Sequence, residues 1–463
     1  MSAGTPRVLT VRRVRPDDHF MILTDTAETP IQIGALLVLA VADCDRDEVF
    51  AAIRDHFLSR LPATPLLSVL REHPTGYDSD VWLDIDACDP AAHFERVSGA
   101  IDEHMLHTTA AANGMRRLDL GRPPFRVIVY DDIGDGRCAV QITVHHSVTD
   151  GVGFQTLLSR LSDDVEPAST AERSEAERTP TTPAEVWAGA DERFEAEAGL
   201  RDRKRAEMQE ALAMLKGGTL APRSRTPVLK LSGPTSGERS YTRISVPLQR
   251  VKTLSKRFDA TINDIFLALA ATAIRRYLIE IDDLPETPIV VNSARSYRRP
   301  EHRDFENRIV AMHPHLATTV ADPRERLAAI MASMADERAR TRWDEAMLDQ
   351  PERPFGPRDR RAKFAERARD QAAVLPGNVT LSNVPGPPGS RSFAGFTQLS
   401  NHPVPLLGSG RFLNITSRRN GDSLDMGVMA DPTKIADVER IARYVVEALD
   451  EYEALAEATD TDA

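Results

Sequence analysis

Residues 137–161, RCAVQITVHHSVTDGVGFQTLLSRL, change hydrophobic period within a few positions, and everything else in the chain reads as support for that corner. From 138 to 146 β-branched residues dominate between Gly136 and the Asp150-Gly151 pair, which predicts a strand. Beyond it Phe154, Leu157, Leu158 and Leu161 fall at i, i+3, i+4 and i+7, the apolar stripe of a helix that packs back on the sheet. Asp150 stands just before this helix, where a carboxylate accepts from unpaired backbone N–H groups and meets the positive end of the dipole.

Strand alternation separates the adjacent histidines. His146 shares a face with Val144, Ile142 and Val140, and His145 lies with Thr143 and Gln141, so only one of them faces a given cavity. A strand-end histidine in apolar surroundings is kept neutral by desolvation and can accept a proton near pH 7. A lone histidine at such a place is more commonly a hydrogen-bonded structural residue. The whole string His145-His146-Ser147-Val148-Thr149-Asp150-Gly151 weighs against that reading.

The 463 residues suit two domains of roughly 200 residues each. Hydrophobic residues at 41% and charged residues at 28% describe a globular protein, and the net charge of -12 opposes a nucleic-acid partner, which needs a dominant positive field. Cys44, Cys88 and Cys138 are far apart and form no CxxC pair, so neither a disulfide framework nor a zinc site is indicated; no metal is expected. A cytoplasmic protein fits this cysteine usage. The N-terminus lacks the apolar core of a signal peptide and no stretch of about 18 apolar residues occurs, so any membrane or lipid-droplet contact is expected to be peripheral.

Along the chain, residues 31–41 read as a buried strand, and a helix capped by Asp45 runs along Val49, Ile53 and Phe57 to Leu61, where Pro62 stops it. Trp82, Leu83 and Ile85 suggest a short strand, and residues 90–105 a helical stretch. Residues 125–133 form a strand joined by Gly134-Asp135-Gly136 to the one ending at the histidines, with Pro123 and Pro124 as a rigid lead-in or a cleft wall. Composition then shifts at 166–227 to a polar, proline-containing connector, partly helical over 185–216, between a first unit at 1–165 and a second at 228–463.

In the second unit, 239–246 reads as a strand, 251–258 as a short helix and 261–281 as a strong helix. Thr261 and Asp264 have capping-box spacing, so Asn263-Asp264 is either helix-start chemistry or a substrate contact. Arg295, Arg298, Arg299, Arg303 and Arg308 suit phosphate recognition or a loop of paired arginines, and the basic run 353–369 suits an anionic lipid surface or simple solvation. Asn420-Gly421 predicts a hairpin, and Val438, Ile441, Val445, Leu449 and Tyr452 mark the inner side of a final helix.

HHSVTDG matches the HHxxxDG signature of the CoA-dependent acyltransferase superfamily, which includes condensation domains and chloramphenicol acetyltransferase-like enzymes. With PIQIGAL, Trp82, His93, GRPPF, Asn263-Asp264, Ser293-Ala294-Arg295, SNVPGP at 382–387 and LNITS with NGDSLDMGVMAD, the chain resembles the bacterial wax ester synthase/diacylglycerol acyltransferase family. GRPPF stands where that family usually has a proline-leucine-tryptophan string, Glu306-Asn307 replaces a common Gly-Asn pair, and MHPHL at 312–316 is unusual. These departures bear on substrate choice more than on reaction type.

The resemblance implies an α/β fold of two chloramphenicol acetyltransferase-like halves with mixed sheets and an active-site channel at their interface. It implies transfer of a long-chain acyl group from acyl-CoA, as substrate and with no cofactor, to diacylglycerol. His146 would be the general base, His145 its support through a backbone bond, Asp150 and Gly151 the shapers of the turn, and Arg295 the salt-bridge partner of Asp150 across the halves. Asn263, Asp264, Arg295, Pro123 and Phe125 are the candidate substrate contacts. The alternatives are a wax ester synthase or an acyltransferase for another hydroxyl acceptor, a carrier-dependent condensation enzyme, and an inactive lipid- or CoA-binding paralogue. The sequence gives no oligomeric state.

Overall fold

The computed structural model describes residues 8–42, 44–74, 78–165, 182–190, 223–348, 376–389 and 391–461, with 192, 206 and 366. Two six-stranded mixed sheets carry two α/β halves, as expected. The first sheet has the order β12-β13-β2-β7-β6-β5: β2 (Gln32–Ala40), β5 (Phe94–Ala100), β6 (Phe125–Asp132) and β7 (Arg137–His145), completed by β12 (Ser392–Phe393) and β13 (Phe396–Val404). The second has the order β10-β9-β11-β14-β15-β8: β8 (Ser240–Pro247), β9 (Val291–Ser296), β10 (Ile309–Met312), β11 (Val379–Val384), β14 (Leu413–Asn420) and β15 (Ser423–Ala430). A three-stranded antiparallel sheet of β1 (Val8–Arg13), β4 (Val81–Ile85) and β3 (Ser68–Arg71) packs on the first half, where Trp82 and Ile85 join its core.

β7 is central, antiparallel to β2 and β6 along its length, so the histidine corner leaves a strand that is fixed on both sides. Gly134, Asp135 and Gly136 all have positive φ, the geometry the hairpin before β7 requires. Val140, Ile142 and Val144 enter the core beneath α2 (Arg46–Arg60) and α4 (Gly151–Leu161). Gln141 faces the other way, accepting from the Tyr130 hydroxyl at 2.6 Å and donating to the Ala110 carbonyl of α3 (Glu103–Gly114) at 3.0 Å. Phe154, Leu157, Leu158 and Leu161 are buried, which confirms the apolar stripe of α4.

In the second half, α6 (Leu248–Arg257), α7 (Ile262–Glu280), α8 (Pro323–Leu348) and α9 (Val438–Thr461) contribute to one core with the sheet. Two short helices complete the chain order: α1 (Pro16–Thr24), which packs on the histidine turn, and α5 (Pro183–Trp187), whose Trp187 indole donates to the Ser79 carbonyl at 2.8 Å. No helix among the described residues is long and apolar enough to cross a membrane.

Three readings change. Residues 90–105 do not form one helix: β5 pairs parallel with the edge of β6, Gly99 adopts φ +88°, and α3 starts only after Asp102 caps the Met105 N–H at 2.7 Å. His146 is not the last residue of the strand; β7 ends at His145 and His146 opens a single 3₁₀ turn over His146–Val148. The division at 166–227 is crossed by β12 and β13, which come from the second unit yet extend the first sheet through β13 pairing with β2. The connector helix over 185–216, beyond 185–190, 192 and 206, and the basic run 353–369, apart from 366, lie outside the described residues.

β13 reaches the first sheet by passing tightly over β15. The Pro403 carbonyl accepts from the Tyr241 hydroxyl at 3.0 Å, and a Cβ at Gly427 would lie 1.8 Å from the same oxygen. Asp425 holds the crossing from below, accepting from the Asn401 N–H at 2.7 Å. Gly427→Ala must therefore push apart two strands of different sheets that cross here, and we expect it to destabilise the fold by about 2 kcal/mol, an overpacking cost read as a lower denaturant midpoint than wild type.

Candidate active site

The corner is built by pinning the main chain of both histidines. His145 N–H donates to the Pro124 carbonyl at 3.0 Å, and His146 N–H donates to the Ile31 carbonyl at 2.9 Å. The His145 ring is fully buried, and its Nδ1 accepts from the Ser147 N–H at 3.2 Å, a backbone bond that closes the turn. Its Nε2 lies 3.8 Å from Asp25 Oδ2. Burial opposes the charge on Asp25, yet the nearby His145 ring and bonds from the Ile31 N–H and Arg117 hold its carboxyl below the ordinary value.

His146 is half-buried, and its Nδ1 is enclosed without a hydrogen-bond partner of good geometry among the described residues. Burial moves its pKa down from the ordinary histidine value, against the opposing effects of its own main chain and the Asp150 charge. The ring is accordingly neutral at neutral pH, the form that accepts a proton.

The second half closes over this turn with Arg298 and with two successive residues, Asn307 and Arg308. Arg298 donates to the Glu306 carbonyl, Asn307 Nδ2 donates to the His146 carbonyl at 2.8 Å, and the Arg308 N–H donates to Asp150 Oδ2 at 2.8 Å. Asp150 is fully buried; its Oδ1 caps α4 by accepting from the Gly153 N–H at 2.7 Å, and its Oδ2 takes the Arg298 guanidinium at 3.1 Å. The partner of Asp150 across the halves is thus Arg298 and not Arg295. In β9 the side chain of Arg295 instead donates to Thr341 Oγ1 of α8 at 3.1 Å, whereas Arg298 lies past the strand, in the loop that crosses the seam.

Gly151 does not serve the turn by an unusual backbone; it is the first residue of α4 and allows close approach. A Cβ there would stand 3.1 Å from Val384 of β11, and one at Gly153 would stand 3.1 Å from the Asp304 carbonyl. Phe125, a candidate substrate contact, is 1% exposed, stacked on His93 at 4.5 Å between ring centroids and packed on Phe57 in the first core. Pro123 is buried beside it as the rigid lead-in. Asp264 closes a capping box with Thr261, its Oδ2 accepting from the Thr261 N–H at 3.0 Å and hydroxyl at 2.7 Å. No hydrogen bond among the described residues joins Asn263 or Asp264 to the histidine corner.

The arginine cluster is a loop of paired side chains. Besides Arg298 on Asp150, Arg308 meets Glu306 at 2.6 Å and Arg299 meets Glu301 at 3.9 Å. Arg298 and Asn307 act in the site although neither was selected from the sequence; both lay inside motifs already in view, and only the path of the loop distinguishes them from their neighbours.

Two family models match, one described as the wax ester synthase/diacylglycerol acyltransferase catalytic domain over residues 14–266 and one as the WS/DGAT C-terminal domain over 305–453. The chain belongs to the wax ester synthase/diacylglycerol acyltransferase family. A Mycobacterium tuberculosis protein assigned the name diacylglycerol O-acyltransferase is 27% identical over 96% of this chain and 97% of its own. The O-acyltransferase WSD of Acinetobacter baylyi is 23% identical over 96% and 97%. Among solved structures, the wax ester synthase/diacylglycerol acyltransferase of Marinobacter aquaeolei VT8 shares the fold with a TM-score of 0.66 at 22% identity, covering 96% of this chain and 99% of that one. A starter condensation domain of rhizomide synthetase, solved with C8-CoA, shares it at 0.54 and 14% identity, covering 97% and 95%.

Removing one partner of a buried ion pair leaves the other charge stranded. We expect Arg298→Ala to cost about 3 kcal/mol of stability by that mechanism, and Arg295→Ala, which leaves Asp150 paired, to cost less, about 1 kcal/mol. Urea titration of the two variants side by side checks the order.

Proposed function

We propose that the protein is an acyl-CoA-dependent O-acyltransferase that moves a long-chain acyl group to the hydroxyl of diacylglycerol, giving triacylglycerol and free CoA. The observation that carries this reading is the His146 ring: neutral by burial, partly exposed, and fixed through both of its main-chain groups at the seam of the two halves.

The neutral imidazole takes the proton of the acceptor hydroxyl as its oxygen attacks the thioester carbonyl. The tetrahedral intermediate then collapses, the C–S bond breaks, and the imidazolium returns the proton to the CoA thiolate. His146 moves a proton and forms no bond to the acyl group. Asp150 is too thoroughly occupied by Arg298, Arg308 and the α4 N-terminus to exchange protons with it, so its role is to hold the corner's shape. The chemistry needs no cofactor beyond acyl-CoA as substrate. A lipid acceptor places the enzyme at a membrane or lipid-droplet surface, reached from the cytoplasm by peripheral contact. A long-chain alcohol as acceptor, giving a wax ester, is the second reading, favoured by the double name of the Marinobacter aquaeolei protein.

Thiol release from long-chain acyl-CoA, measured with diacylglycerol and with fatty alcohols, separates the acceptors. We expect His146→Ala to lower kcat roughly 100- to 10,000-fold. In wild type kcat/KM rises with pH through a midpoint below the ordinary histidine value, because burial favours the basic form. Wild-type turnover by His146→Ala would exclude the base assignment.

A further inference from the structure

Asn307 does more than touch the histidine turn. Its amide nitrogen donates twice, to the His146 carbonyl at 2.8 Å and to Asp18 Oδ1 at 2.7 Å, and the residue is 1% exposed. Asp18 lies on α1, 6% exposed, and α1 packs directly against the His146–Val148 turn. The next residue anchors that helix, since His19 Nε2 meets Asp80 Oδ2, just before β4, at 2.7 Å. A carboxyl on the first half, an amide on the second and the main chain of the histidine therefore form one buried chain of contacts.

We infer that Asp18 is a positioning residue for the reaction, acting through Asn307 to hold the His146 carbonyl and so the direction of the imidazole. Two facts separate this from ordinary core packing. An amide with two protons and two acceptors has its orientation decided by both, so losing Asp18 frees Asn307 to turn away from His146. A carboxyl is also a costly choice for a site this enclosed: burial pushes Asp18 up to about 7, and the Asn307 bond and the Arg15 charge only partly oppose that.

The charged groups around it are Asp17 on its own helix, Arg15 just before that helix and Arg12 on β1. The second half brings Asn307 itself, flanked by Glu306 and Arg308, which pair with each other, and the histidine turn brings His146 and Asp150. Asp18 is neutral in acid and becomes charged as pH rises past about 7, whereas burial moves His146 down from the ordinary histidine value.

The rate measurements rest on the acyltransferase reading and the ring titration does not. Asp18→Leu removes the acceptor; we expect kcat to fall 10- to 100-fold with KM for acyl-CoA within about twofold, and Asp18→Asn, which keeps an oxygen facing Asn307, to restore kcat at pH 6.5. Asp18→Leu added to Asn307→Leu should cost no further rate, since both break one chain of contacts. Wild-type kcat in Asp18→Leu, or fully additive losses, overturns the inference. Independently of any substrate, the His146 ring signal in NMR, assigned by its absence in His146→Ala, should show a second step near pH 7 in wild type that vanishes in Asp18→Asn. A step that persists in Asp18→Asn, or no step in wild type, overturns it even where Asp18→Leu does not fold.

Discussion

The corner depends on a buried carboxylate, Asp150, whose oxygens serve three masters at once. It caps the helix that follows the histidines, takes a guanidinium from the second half and accepts a main-chain N–H from the same loop. A charge with no exposure survives only when its acceptors are filled, so the turn is stable only while the second half is docked. The histidine geometry is in this sense a property of the assembled seam rather than of the strand that precedes it.

The seam is held elsewhere by means that share this logic. β13 leaves the second unit to pair with β2, giving the first sheet strands that lie far away in the chain. Glycines stand where the halves approach most closely, at 151, 153 and 427, and none of these three adopts a positive φ; their service is the missing side chain. A bidentate pair between Arg243 of β8 and Glu103 of α3, both contacts at 2.8 Å, adds a peripheral tie. The His146 ring sits among rigid elements from both halves, which suits the proton transfer proposed for it, a step that tolerates little misplacement.

Much of the fold was legible. The strands at β2, β6, β7 and β14–β15 and the helices α2, α4, α7 and α9 announced themselves because each has one buried face and a strong periodic signal. β13, FTQLSNHPV, did not, since its polar side chains are satisfied by the other half and leave no alternation to read. The region around β5 was mistaken for helix because a strand at a sheet edge needs little apolar content. In the site, the motif places His145, His146 and Asp150 in one short turn, but the sequence points to Arg295 where Arg298 meets Asp150, and to Phe125 as a substrate contact where it packs in the core. Arginines three apart in one loop are equivalent on paper.

By itself the sequence determined the local chemistry: a strand entering a turn, a carboxylate at a helix start, an imidazole in apolar surroundings, and a family signature spread along the chain. Those follow from short-range periodicity and capping, which act over a few residues. Only the tertiary structure decided which arginine meets Asp150, that His146 lies beyond the strand, and that Asn307 and Asp18 reach its main chain. Those contacts join residues far apart in sequence, and a hydrogen bond between such groups leaves no periodic trace in the chain that makes it.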